Sequence, residues 1–239
     1  MRTVPTGFAD RVDAGRWLAE EVDVLGGQDV VVLGLPRGGV PVAVPVADAL
    51  GAPLDVLVVG KVGQPGHEEL ALGAVDDEGG TVLNPGVIAA AGLPGDEVAA
   101  LARRRVAELA ARADDLRSGR PAVPLAGRVA VVVDDGMATG ATMRVAVGAA
   151  RRRGARTVVA AVPVASAAAA RQVAAVADGL ACVLRPPGFR SVGPWYDDFT
   201  QVSDDEVRLA LEAERIGRSP RPTRGDLAWK HQLDSSADR

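Results

Sequence analysis

The stretch Val131-Val132-Val133-Asp134-Asp135-Gly136-Met137-Ala138-Thr139-Gly140-Ala141-Thr142 decides how the rest of the chain is read. Three consecutive valines form a short β-branched run without polar alternation, the pattern of a strand buried on both faces. Two adjacent carboxylates follow at the end of that strand. A turn bearing glycine and threonine then leads into Ala141 to Arg153, where helical spacing runs up to a stop at Gly154. Strand, acidic edge, small-residue turn and helix make up one half of a βαβ unit, so the expected sheet is parallel.

The same alternation extends outward in both directions. Toward the C-terminus, Thr157–Val162 reads as a strand, Ser166–Ala177 as a helix and Leu180–Leu184 as a last strand. Toward the N-terminus, Val30–Gly34 and Leu54–Val59 are buried-strand runs separated by a helical stretch that begins after Pro36-Arg37-Gly38-Gly39 and ends near Leu50-Gly51. An earlier helix is expected across Phe8, Val12, Leu18, Val22 and Leu25. Leu70–Val75 and Thr81–Leu83 flank Asp76–Gly80 as a hairpin, and a long helix is expected from about Asp96 to about Arg117. Parallel strands need crossovers and the alternation supplies them. The expected fold is therefore α/β, a doubly wound, mostly parallel sheet flanked by helices. One more helix is expected over Ser203–Arg215. The organisation predicted is a single domain over 1–215 and a mobile polar tail over 216–239.

Composition narrows the function classes. The chain has 239 residues, is 48% hydrophobic and carries a formal charge of -4, which gives no general reason to bind nucleic acid or an anionic membrane. A single cysteine, Cys182, excludes an internal disulfide framework, and two histidines, His67 and His231, leave little for a His-built metal centre. The start lacks the apolar core of a signal peptide and no bilayer-length apolar run occurs, so a soluble, cytoplasmic protein is expected.

Ligands of open α/β sheets bind in the crevice beyond the strand ends. At 134–142 the turn amides, the helix N-terminus and the hydroxyls of Thr139 and Thr142 can cradle a phosphate. Asp134 and Asp135 are poor neighbours for phosphate but good acceptors for two sugar hydroxyls. A phosphate cup beside a diol clamp describes a site for ribose 5-phosphate. The competing reading is an acidic surface turn before an ordinary helix.

Segment 131–143 resembles the signature of the type I phosphoribosyltransferases. The resemblance spans roughly residues 8–213, but only 131–143 is highly specific. It implies a transferase of the pentosyl-transfer class, acting in nucleotide metabolism on 5-phosphoribosyl 1-pyrophosphate (PRPP) with Mg2+. Asp134 and Asp135 would hold the ribose diol, and one of them would reach magnesium through water. Gly136, Met137, Ala138, Thr139, Gly140, Ala141 and Thr142 would hold the 5-phosphate. Arg37, Gly38 and Gly39 are similar to the family's pyrophosphate loop, which commonly contains a non-proline cis peptide, expected here around Pro36 to Gly38. Lys61, the only lysine outside the last ten residues, would meet the leaving pyrophosphate from a glycine-bearing loop that closes; a solvated loop lysine is the bland alternative. Members of the family often carry Arg-Lys where this chain has Gly60-Lys61, so one cation is missing. His67 could touch pyrophosphate or relay a proton.

Four of seven aromatic residues, Phe189, Trp195, Tyr196 and Phe199, crowd into eleven positions after the last strand. Residues 185–200 are therefore expected to form a small hood, with Phe189, Trp195 and Tyr196 on the base side. Packing of these rings on Phe8 or Trp17 is the alternative. Enzymes for 6-oxopurines carry an aspartate where this chain has Ala138, which turns the reading away from hypoxanthine, guanine and xanthine and leaves the accepting base unidentified. Within the family the chain looks most like members without an assigned base. A homodimer is left open, as is a non-catalytic regulatory protein that binds PRPP or a nucleotide. The Arg103–Arg105 and Arg151–Arg153 runs are read as solvated helix faces and a helix end.

Overall fold

The structure, a computed structural model, describes residues 5–217. Its elements in chain order are α1 (Arg11–Val22), β1 (Val30–Gly34), α2 (Gly39–Leu50), β2 (Leu54–Val56), β3 (Val59–Gln64), β4 (His67–Asp76), β5 (Thr81–Leu83), α3 (Pro85–Ala91), α4 (Gly95–Leu116), β6 (Val129–Val133), α5 (Ala141–Arg152), β7 (Thr157–Val164), α6 (Ala167–Ala174), β8 (Gly179–Leu184) and α7 (Asp204–Gly217). Strands β2-β1-β6-β7-β8 form a five-stranded sheet, and β3-β4-β5 form a second sheet of three. Every pairing in the larger sheet is parallel, with Val30–Gly34 in register with Val129–Val133. The expected α/β architecture is thus present. The tail expected from 216 onward lies outside the described residues, apart from the end of α7.

All five residues of β1 and of β6 are buried, because successive side chains feed opposite faces of the sheet. Val30, Val32, Val129, Val131 and Val133 pack with Leu18 and Val22 of α1 and Val42 and Val46 of α2. Val31, Leu33, Ala130 and Val132 pack the other way, against Met143, Ala146 and Val147 of α5 and Ala169 and Val173 of α6. Double winding follows from these two half-sets. α1 is capped by Asp10, whose carboxylate accepts the Asp13 N–H at 2.8 Å, while Asp13 accepts the Ala9 N–H at 3.1 Å; the pair satisfies two donors at the helix start.

The apolar run Leu54–Val59 does not form the single strand expected. β2 ends at Val56 in the large sheet, and the chain crosses at Leu57-Val58 to begin β3 in the second sheet. The glycine-bearing segment after Lys61 is likewise ordered as a hairpin: β3 and β4 pair antiparallel around Pro65-Gly66. The 76–80 hairpin between β4 and β5 is present as expected. Its second carboxylate meets a role the sequence did not announce. Arg117 donates to Asp55 at 2.8 Å, to Asp77 at 3.1 Å and to the Val56 carbonyl at 2.8 Å. Arg153 reaches Asp77 at 2.5 Å and Arg152 reaches Asp76 at 2.7 Å. The end of α5, read as solvated, is instead bolted to the second sheet. Burial works against the Arg117 charge, yet Asp55 and then Asp77 outweigh it and raise its pKa. Arg117→Met should leave two buried carboxylates short of their partner and lower the unfolding free energy by about 3–5 kcal/mol, measurable by urea denaturation. An unchanged midpoint would show that the network does not hold the sheets together.

No helix among the described residues is long and apolar enough to cross a membrane.

Candidate functional site

At the carboxyl ends of β1 and β6 two loops meet. The Leu35 N–H donates to the Val133 carbonyl at 2.8 Å, which draws the loop after β1 onto the loop after β6. The glycines there are dictated by contact. A Cβ on Gly39 would lie 2.5 Å from the Val133 oxygen, and one on Gly38 would lie 2.0 Å from Asp135 Oδ2. At Gly39 no other residue type fits without moving backbone, and at Gly38 a side chain would displace the Asp135 carboxylate. The Pro36–Arg37 peptide is cis, within the span where one was expected. Arg37 is half-buried at this junction, where Gly38 and Gly39 lie against Val133, Asp134 and Asp135.

Asp134 and Asp135 are half-buried where β6 ends, with the Asp135 N–H donating to Asp134 Oδ1 at 2.9 Å. Burial first, and the neighbouring Asp135 carboxylate second, push the Asp134 pKa up to about 8. Burial also raises Asp135, against the pull of Arg11. Two such groups are poised to accept hydroxyl hydrogens, and each loses its proton more readily once a donor or a cation faces it.

After the acids the chain turns through Gly140, whose φ of +72° opens α5. Ala138, Thr139, Ala141 and Thr142 are exposed around that turn, and Thr139 Oγ1 accepts the Ala141 N–H at 3.4 Å. The first turn of α5 supplies N–H groups without intrahelical partners and the positive end of the helix dipole. Met137 departs from the expected set. Its side chain is buried in the core and its N–H donates to the Val164 carbonyl at 2.9 Å, so its amide is committed to the scaffold rather than to a ligand. The Ser166 hydroxyl fixes the turn from behind through the Ala138 carbonyl at 2.8 Å.

The hood residues sort differently from the base-side expectation. Tyr196 is buried (6% exposed), with its ring 5.4 Å from Phe8 and 5.0 Å from Phe199. Its hydroxyl donates to the Asp135 carbonyl at 2.6 Å, and burial keeps the phenol protonated. For Tyr196 the packing alternative describes the structure. Phe189 and Trp195 are half-buried against the same cluster.

Lys61 stands on β3, exposed. Gly60 and Val62 on either side of it face α4: Gly60 packs on Arg105, and Val62 joins the Leu109 and Ala113 cluster. Lys61 lines a cavity with Gln64 and the α4 residues Leu101, Arg104, Arg105 and Glu108, and no residue of 134–142 lines it. His67 is exposed at the start of β4, opposite Gln64.

One residue of the site escaped the sequence reading. Arg11, the first residue of α1, donates from Nε to Asp135 Oδ2 at 3.0 Å and from Nη1 to the Thr200 carbonyl at 2.8 Å, with its guanidinium 3.9 Å from the Phe199 ring centre. No local pattern marks it, since both partners lie far along the chain.

Among the described residues no three His, Cys, Asp or Glu side chains group to hold a metal ion. The donor set suits instead a magnesium ion carried by substrate oxygens and water, with one or both aspartates at its edge.

Curated proteins from two Mycobacterium tuberculosis strains, each named "Putative phosphoribosyl transferase", are 47% identical over 231 residues, which is 97% of this chain and 50% of theirs. The chain thus spans about half the length of these relatives. The crystal structure of a Thermus thermophilus protein, TT1426, is similar with a TM-score of 0.76 and 44% identity, covering 86% of this chain and 97% of that one. The phosphoribosyl transferase domain family matches residues 10–186, a span that includes 36–39 and 134–142, and the chain belongs to that family.

Proposed function

We propose that this chain transfers the 5-phosphoribosyl group of magnesium-bound PRPP to a ring nitrogen of a heterocyclic base, releasing pyrophosphate. The observation that carries the reading is the joining of the acidic pair to the open N-terminus of α5 through one short turn, with Gly38 pressed against Asp135 from the facing loop.

In this transfer the bond between C1 and the diphosphate oxygen breaks with its electron pair on the diphosphate, and the nucleophile forms the new bond at C1. Asp134 and Asp135 hold the two ribose hydroxyls and fix the ring in line. The amides of Thr139 to Thr142 and the Thr139 and Thr142 hydroxyls receive the 5-phosphate. Arg37 offers a fork of donors to the diphosphate, and Lys61 supplies charge as the leaving group forms. Magnesium, when bound, would neutralise the diphosphate oxygens. Ala138 contributes no side-chain acceptor toward the base, which argues against 6-oxopurines and leaves the accepting base to be found.

The test is incubation of the full chain with magnesium-PRPP and a panel of purines, pyrimidines and related heterocycles, following pyrophosphate. Release that depends on one base class supports the reading. Tight PRPP binding with no release for any base would favour a non-catalytic regulatory binder. Replacing Thr139 and Thr142 together by valine should weaken ribose 5-phosphate binding by about tenfold to a hundredfold, since two hydroxyl donors to a charged group are lost. Unchanged affinity by calorimetry would take both threonines out of the phosphate cup.

A further inference from the structure

We propose that Arg11 is a positioning residue for the ribose clamp: it ties the Asp135 carboxylate to the hood, so that the sugar-binding and nucleophile-facing sides of the crevice set as one unit. The inference rests on the phosphoribosyl transfer proposed above and deepens it.

Four contacts converge on Asp135. Arg11 Nε occupies Oδ2 at 3.0 Å, and Gly38 closes on that same oxygen from the facing loop, so closely that a Cβ would sit 2.0 Å away. The main-chain carbonyl of Asp135 takes the Tyr196 hydroxyl at 2.6 Å, and its N–H is turned to Asp134. One carboxylate oxygen is therefore committed to the scaffold. The orientation of the other is set by where Arg11 stands.

Arg11 is in turn fixed by the hood. Its Nη1 donates to the Thr200 carbonyl at 2.8 Å and its plane lies over Phe199. The backbone on both sides is zipped: Phe8 N–H to the Trp195 carbonyl, Asp197 N–H to the Phe8 carbonyl and Asp198 N–H to the Ala9 carbonyl, all at 2.9 Å. Residues 8–11 and 195–200 thus move together, and Arg11 is the side chain that carries their position to the acidic pair.

A purely stabilising role explains this poorly. An ion pair with side chains 11% and 17% exposed loses much of its attraction to desolvation, and apolar packing in its place is often neutral or better. What a guanidinium adds is geometry, a rigid fork that spans a carboxylate and a carbonyl while stacking on a ring, which lysine cannot reproduce. Reciprocity follows: a ligand that orders the hood tightens the ribose clamp, and ribose binding orders the hood by the same factor.

The experiment compares wild type, Arg11→Met, Arg11→Lys and Tyr196→Phe in the full chain by calorimetry, with ribose 5-phosphate as the probe that needs the diol clamp and magnesium-free pyrophosphate as one that does not. Arg11→Met is expected to weaken ribose 5-phosphate by about tenfold to a hundredfold and to leave pyrophosphate within about twofold. Arg11→Lys should recover only part of the loss. Tyr196→Phe keeps the ring on Phe8 and Phe199 and removes one donor; it should lose about three- to tenfold for ribose 5-phosphate alone, and it decides the matter should Arg11→Met fail to fold. Wild-type affinity in the Arg11 variants, or in Tyr196→Phe when it stands alone, overturns the inference. So does an equal loss for both probes, which marks a structural role. A wild type that binds neither probe overturns the phosphoribosyl reading itself and the inference with it.

Discussion

Above about pH 8, where the Asp134 carboxyl is ionised, Asp134→Asn together with Asp135→Asn is expected to weaken PRPP binding by about a hundredfold or more while the fold survives, because charged acceptors of ribose hydroxyls each contribute about 1.5–3 kcal/mol. Calorimetry that finds unchanged PRPP affinity in the double variant would falsify the assignment of the ribose clamp. The single variant Asp134→Asn carries a second expectation of opposite sign. Burial and then Asp135 hold the Asp134 carboxyl protonated up to about pH 8. Its folded pKa lies above its unfolded value, so the stability it contributes is full below the ordinary carboxylate range, near pH 4, and is lost as pH rises through about 8. Wild-type Tm should therefore fall between about pH 5 and pH 9, and Asp134→Asn, which keeps the neutral form at every pH, should flatten that slope and melt several degrees higher at pH 9. Ribose 5-phosphate affinity should move the other way in wild type, rising toward pH 8 as the acceptor ionises.

How much of this could be read from the sequence depends on the range of each interaction. β1 and β6 were legible because burial on both faces demands an unbroken apolar run, and Val30–Gly34 and Val129–Val133 show it. Leu54–Val59 shows the same run yet divides between two sheets, since hydrophobicity reports burial and not which sheet supplies the partner. The acidic pair and the turn into α5 could be read together because they lie in consecutive residues. Arg11 was not: its partners are 124 and 189 positions away, and nothing near it distinguishes it from a solvated helix start. Arg152 and Arg153 misled for the same reason. A cation at a helix end is ordinarily explained by the dipole and solvent, and only the folded chain brings Asp76 and Asp77 to meet them. The aromatic cluster was seen as a cluster, but sequence could not choose between a lid and a packed corner. The Phe8 contact decides it for Tyr196.

Lys61→Ala is expected to lower turnover about a hundredfold to a thousandfold, while PRPP affinity changes far less. The reason lies in when the charge is needed. Pyrophosphate gains negative charge at the bridging oxygen as the C1 bond breaks, and a cation delivered at that moment stabilises the transition state more than the ground state. Removing one such contact costs about 2.7–4 kcal/mol of barrier. In the structure Lys61 is exposed on β3 and borders a cavity with Leu101, Arg104, Arg105 and Glu108 of α4. The hairpin is anchored at its far end through Asp76 and Asp77 to Arg152, Arg153 and Arg117, while its tip at Pro65-Gly66 is exposed. Once a cognate base is known, the measurement is steady-state kinetics of Lys61→Ala against a calorimetric PRPP Kd. A drop in kcat with an unchanged Kd places Lys61 at the leaving group; wild-type kcat returns it to the status of a solvated lysine and leaves the ribose and phosphate sites standing without it.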